Sequence, residues 1–168
     1  ALQLPDFRAS ERTFQLVSQV AGRAGRTADG PQARVIVQSM HPDNPAVLHA
    51  AAHEWDRFAE HELAMRAGAG LPPVKRMARI VFRDRDLDAA MAMANAAAQA
   101  LSNTNEEIEL LGPAPCPMAR IDDRHRIGLE VLGETPGTLG RALAKARVAG
   151  GLKPGEKVVI DVDPTTLL

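Results

Sequence analysis

Tyrosine does not occur in this sequence, tryptophan occurs once and phenylalanine four times. With so few rings, base stacking cannot be a major route to nucleic acid, and the core must be built from Ala, Val, Leu, Ile and Met. Cysteine is nearly missing too. Cys116 stands alone, which excludes an intrachain disulfide and a multi-cysteine zinc site within the chain; between prolines and with no partner base in view, it reads as structural. Neither sign of charge prevails. Lys and Arg number 20 against 21 Asp and Glu, a net charge of -1, so attraction to nucleic acid has to come from a local patch. No apolar run is long enough to span a bilayer and no secretory leader is recognisable; a cytoplasmic protein is the expectation. Also lacking are a GxxxxGK[ST] phosphate loop and an acidic magnesium-binding motif, so the chain alone is expected to have no ATPase activity. What remains, 45% hydrophobic and 24% charged over 168 residues, fits one or at most two globular domains.

The stretch QLVSQVAGRAGR, Gln15 to Arg26, concentrates an apolar face, two glycines and two arginines. Leu16, Val17 and Val20 recur at helical spacing, as on one buried face. Gly22 and Gly25 permit close backbone approach, and Arg23 and Arg26 project from one side if the helix continues. Their planar forks match phosphate oxygens. The plainer alternative is a solvated helix end frayed by glycine.

The wider segment LPDFRASERTFQLVSQVAGRAGR, Leu4 to Arg26, resembles the last motif of superfamily 2 helicases, and more narrowly that of the PriA family of primosomal replication-restart helicases. The resemblance implies a nucleotide-binding set of Gln19, Gly22, Arg23, Gly25 and Arg26, with Arg23 or Arg26 the catalytic finger on the transferred phosphoryl group. Further matches are LPP at Leu71–Pro73, GPAP at Gly112–Pro115 and the ending DVDP at Asp161–Pro164. Starting without Met and inside a family motif, the chain reads as a C-terminal fragment. For the parent the resemblance implies ATP, magnesium and zinc as cofactors, with none in this fragment.

Taken in order, the chain predicts a helix from about Ser10 to Gly22, a turn at Thr27–Pro31 and a buried strand at Ala33–Met40. A long helix follows from Pro45 to about Ala67, with Val47, Leu48, Ala51, Trp55, Phe58, Leu63 and Met65 on its apolar face. His49, His53 and His61 with Glu54, Glu60 and Glu62 lack the HExxH order and read as a solvated face, so no metal site is expected. After GAGLPP come a strand ending near Phe82 and a helix Asp86–Ser102 capped by Asp86. A short strand Ile108–Leu111, the GPAP turn and paired strands Pro117–Ile121 and Arg126–Leu132 follow, with Asp122–His125 as their loop. Thr135–Ala149 is the next helix. The near-continuous Val and Ile of Lys157–Pro164 predict a central or doubly covered strand. The fold class expected is α+β: the end of a RecA-like helicase lobe (1–43), a connector helix (44–70) and a ferredoxin-like two-helix-on-sheet domain (71–168).

Lys75, Arg76, Arg79, Arg83 and Arg85 form the densest basic run. It reads either as a phosphate-contacting strip or as a charged edge strand that resists aggregation. With Arg120, Arg124 and Arg126 of the expected hairpin, Lys75, Arg76, Arg79 and Arg83 make up the candidate DNA contacts. Arg141 and Lys145 are candidates for a partner, the acidic tail of the single-stranded-DNA-binding protein. The family resemblance implies replication restart at forks and D-loops, other primosome proteins as partners, and a parent that is an ATP-dependent 3′-to-5′ DNA helicase, a nucleotide-binding hydrolase. The alternative is a non-enzymatic DNA- or partner-binding domain whose arginine motif is a relic.

Overall fold

The computed structural model describes residues 2, 5–24, 34–153 and 155–167. The chain forms two compact units, Ala1–Gly68 and Ala69–Leu168.

The first unit is helical. Helix α1 spans Ala9–Ala24, α2 Pro45–Ala51 and α3 Trp55–Gly68. Asp6 sets the start of α1: its side chain accepts from the Arg8 N–H at 2.9 Å and from Arg12 Nη1 at 3.0 Å. Asn44 caps α2 through Ala46 N–H, with Pro45 in the first turn, where a missing N–H costs nothing. The expected single helix from Pro45 to Ala67 is broken at Ala52–Glu54. His53 there adopts a left-handed φ of 57°, and His49 Nδ1 meets Glu54 Oε2 at 3.0 Å across the break. The break changes which side chains face inward. Ala46, Val47, Ala50 and Phe58 are buried, whereas Leu48, Trp55, Leu63 and Met65 are largely exposed. The core is a small cluster of Phe14, Val17, Ala46, Ala50 and Phe58, with the Phe14 and Phe58 rings stacked at 4.3 Å. Buried Arg66 ties α3 to α1 through Glu62 at 2.9 Å and Glu11 at 3.0 Å. The strand expected at Ala33–Met40 is absent: Arg34–Ser39 carries no regular structure, Ala33 lies outside the described residues, and Ile36 is 92% exposed. β-branched residues favour a pleated surface only where another strand supplies it, and the described residues of this unit contain none.

The second unit is a four-stranded antiparallel sheet with two helices on one face. Its elements are β1 (Arg76–Asp84), α4 (Leu87–Ser102), β2 (Ile108–Ile121), β3 (Arg124–Gly133), α5 (Pro136–Val148) and β4 (Val158–Val162). Sheet order is β2-β3-β1-β4, so β1 sits inside, flanked by β3 and β4, and each helix crosses between non-adjacent strands. Asp86 caps α4, as the sequence predicts, and Thr135 caps α5. Ala78, Ile80 and Phe82 of β1 and Ile127, Leu129 and Val131 of β3 meet the alanine stripes of both helices.

Two strand expectations are corrected. β4 is an edge strand, not a central one; it pairs only with β1, and Val159 and Val162 are exposed. The GPAP segment is not a turn. It lies within β2, where the register shifts between Leu111 and Ala114; an edge strand tolerates proline at such a bulge because no ladder donor is lost. Gly112 there has φ +102°, and a Cβ would stand 2.9 Å from the Gly128 carbonyl oxygen. The β2–β3 turn is tighter than the expected Asp122–His125 loop. Asp122 and Asp123 have φ 49° and 60°, both left-handed as a two-residue hairpin turn requires.

Helix α5 ends in a Schellman motif. Gly150 has φ +79°, and Gly151 N–H donates to Ala146 O at 3.1 Å. This turn docks tightly on α4: a Cβ on Gly151 would fall 2.2 Å from Ala100 Cβ and 3.2 Å from Ala96 O. Gly151→Ala is therefore expected to destabilise the unit by about 1–3 kcal/mol through overpacking. A urea midpoint for the variant equal to that of the native chain would contradict this close approach.

Candidate nucleic-acid interface

The exposed side of α1 follows from the side it buries. Thr13, Phe14 and Val17 turn inward, so Leu16, Gln19, Val20 and Arg23 share the open side. Burial of Leu16 and Val20, expected from their spacing, is not found: they are 60% and 47% exposed. Arg23 lies in the last turn, where a cation also complements the negative end of the helix dipole. No atom comes within 4 Å of a Cβ built on Gly22, so no neighbour within the described residues demands glycine there. Gly25 and Arg26 lie outside the described residues. Beside this side runs an apolar groove of about 320 Å³, lined by Leu16, Val17, Val37, Met40 and Val47 among others.

In the second unit the basic run does not form one strip. Side chains alternate across a strand, so Arg76 shares the helix-covered face with Ala78, while Arg79 and Arg83 take the opposite face. Lys75 donates to Glu109 at 2.8 Å, and Arg76 pairs with Asp163. Arg79 is 4% exposed and lies 3.9 Å from Glu130. At the hairpin tip Arg120 pairs with Asp123, and Arg124 with Glu156. Arg126, 7% exposed, donates through Nη1 to the Met118 carbonyl at 3.1 Å. The candidate partner residues Arg141 and Lys145 converge on Glu106 at 2.9 and 2.7 Å, and Lys145 also donates to Thr104 O at 3.0 Å. Hydrogen bonds from Arg141 first, and Lys145 next, hold the Glu106 carboxyl below its usual range. That contribution is present at neutral pH and is lost as pH falls through the lowered pKa.

Of these carboxylate partners, Asp123 is legible in the sequence as a charge that offsets the hairpin arginines; the others are remote in sequence from their cations. One signal was available: Glu130 stands inside the apolar run IGLEVL, Ile127–Leu132, and a charge there requires a partner. Burial pushes the Glu130 carboxyl up, and the nearby Arg79 charge opposes the shift. Among the described residues no group of three His, Cys, Asp or Glu side chains could hold a metal ion. No helix of the described residues is long and apolar enough to cross a membrane.

A family profile described as the primosomal protein N C-terminal domain matches residues 67–165. The replication restart protein PriA of Treponema pallidum (strain Nichols) is 37% identical over 170 residues, covering 99% of this chain and 25% of that protein. PriA of Haemophilus influenzae is 35% identical over 165 residues, 96% of this chain and 22% of that protein. PriA of Bacillus subtilis (strain 168) is 36% identical over 126 residues, 74% of this chain and 15% of that protein. The chain spans a quarter or less of the length of these relatives. It belongs to the PriA family and carries that family's C-terminal domain.

Proposed function

We propose that this chain is the C-terminal part of a replication restart protein, that it binds forked DNA through its exposed basic hairpin, and that its parent is a cytoplasmic ATP-dependent 3′-to-5′ helicase. The observation that carries the reading is the family match over 67–165, joined to relatives named for replication restart along nearly the whole chain. In this reading the N-terminal segment closes a RecA-like lobe, and Gln19, Gly22, Arg23, Gly25 and Arg26 face a nucleotide whose phosphate loop belongs to the rest of the parent. The second unit is ferredoxin-like, which its strand–helix–strand–strand–helix–strand order and β2-β3-β1-β4 sheet support. D-loops, single strands, other primosome proteins and the single-stranded-DNA-binding protein are further partners. An acidic tail reaching Arg141 and Lys145 has to displace Glu106.

Arg120 and Arg124 flank the tip of the β2–β3 hairpin. Their pairs with Asp123 and Glu156 are exposed, hence weak, and phosphates can compete for them. Fluorescence anisotropy with forked DNA, repeated across salt concentrations, tests the interface. The double variant Arg120→Gln, Arg124→Gln is expected to bind about tenfold more weakly, with a salt slope shallower by about two. Fork binding that ignores both salt and these substitutions would remove the hairpin from the interface. For the parent, ATP turnover in the presence of fork DNA is expected; its absence would leave a DNA-binding module with a relic arginine motif.

A further inference from the structure

Three arginines with buried donors lie on the sheet face away from the helices. Arg83 of β1 lies directly opposite Arg126 of β3 in the antiparallel register, and Arg79 lies opposite Glu130. Directly opposed side chains share a face, with Cβ atoms about 4.5–5.5 Å apart. Arg79 has its carboxylate. Glu130 Oε1 occupies the space that Gly128 leaves, 3.4 Å from where a Cβ would stand, and reaches Arg79 at 3.9 Å. Arg83 and Arg126 have none: among the described residues no carboxylate pairs with either. Arg126 is held by the Met118 carbonyl, which belongs to the irregular part of β2 between Pro115 and Arg120. Arg79 Nη1, Arg83 Nε and Arg126 Nε are buried donors without a hydrogen-bond partner.

That arrangement costs free energy twice. Like charges directly opposed on a sheet repel, and each buried donor left without an acceptor carries an uncompensated desolvation cost, larger when the group is charged. An oxyanion between the two forks removes both costs. A planar carboxylate is satisfied by a single guanidinium fork, whereas a tetrahedral phosphate presents enough oxygens for two. Arg83, partly exposed, marks the mouth of the seat; Arg126, more than nine-tenths buried, forms its floor.

We propose that Arg83 and Arg126 form a phosphate seat on the sheet face away from the helices, with Glu130 held off by Arg79. The oxyanion chemistry stands on the geometry alone. Its assignment to a DNA backbone phosphate rests on the fork-binding reading above, with a free phosphate as the other source.

Two ligands are titrated into the 168-residue chain: inorganic phosphate, followed by calorimetry and phosphorus NMR line width, and forked DNA, followed by anisotropy across salt. Arg83→Gln carries the test, because a partly exposed site tolerates the change; its melting curve is compared with that of the native chain. Arg126→Lys keeps the charge and removes the planar fork, and Arg147→Gln, on the helix side, is the control. Arg83→Gln is expected to weaken phosphate binding about fivefold or more and to make the fork salt slope shallower by about one. Arg126→Lys is expected to weaken phosphate binding similarly, and Arg147→Gln to leave it unchanged. Phosphate binding that depends on Arg83, without any fork binding, supports the seat and removes DNA as its source. Fork binding unchanged in Arg83→Gln, with no response to phosphate, overturns the seat while the fork reading survives. Equal weakening by Arg147→Gln overturns it as well, since the effect would then be diffuse charge.

Discussion

Phe58→Ala is expected to lower the stability of the N-terminal unit by about 3–5 kcal/mol, most of what a unit this small possesses. Its buried cluster holds only two large rings, Phe14 and Phe58, stacked at 4.3 Å. Removing one deletes its burial, leaves a cavity, and forfeits an aromatic pair worth about 0.5–1.5 kcal/mol beyond area. The neighbours Ala46 and Ala50 are too short to fill the space. Trp55 lies 6.2 Å from Phe58 and 5.4 Å from Phe14, and the chain has no other Trp and no Tyr. Indole emission therefore reports this cluster. The expected result is a Trp55 spectrum shifted toward that of the denatured chain in buffer without denaturant. A native spectrum, with a urea midpoint moved by less than about 1 kcal/mol equivalent, would mean that the ring stack does not hold the unit together.

Phe82→Ala is expected to cost the C-terminal unit about 3–5 kcal/mol, toward the upper end for a core truncation. Phe82 is fully buried in the middle strand, between Ile127 of β3 and Val158 of β4. The helices above contribute Ala90, Ala94, Ala97, Ala142 and Ala146 to the same core. The sheet supplies the bulk and the helices supply short side chains that allow close approach, so the vacated volume has no long neighbour to collapse into it. Chemical denaturation followed by circular dichroism checks this. A loss below about 1.5 kcal/mol, the range of a volume-conserving swap, would show that the helices settle into the gap.

Legibility in the sequence followed the range of the forces involved. Caps and stripes are local, so Asp86, Thr135 and the alanine spacing of α4 placed both helices of the second unit to within a residue or two. Turn chemistry was partly legible: two adjacent Asp residues marked the hairpin, though not its two-residue length. Pairing was not legible. Val158–Val162 reads as a central strand because its composition says apolar, yet position in the sheet depends on which strands arrive beside it. The same gap misled the reading of Val35–Val37, β-prone residues for which the described residues offer no neighbouring strand. In the candidate interface, the identities of the arginines were plain, but their sides were not. Arg76 and Arg79 are close in sequence and opposite in space, and the carboxylates that occupy Lys75, Arg76 and Arg79 are all remote in sequence: Glu109, Asp163 and Glu130 respectively. The break at His53 left no signal in an otherwise helical pattern, because the device that makes it is a left-handed residue other than glycine.

The place of β1 in the sheet has a kinetic consequence. It is the first strand of its unit to leave the ribosome, and the strands bonded to its two edges follow much later, at Arg124–Gly133 and Val158–Val162. During synthesis, at about 5–20 residues per second, Ile80 and Phe82 therefore wait several seconds with only α4 to shelter them. The nascent segment Met77–Phe82 is the window in which a chaperone has the most to protect, and slowing translation beyond Gly133 would lengthen that exposure rather than relieve it.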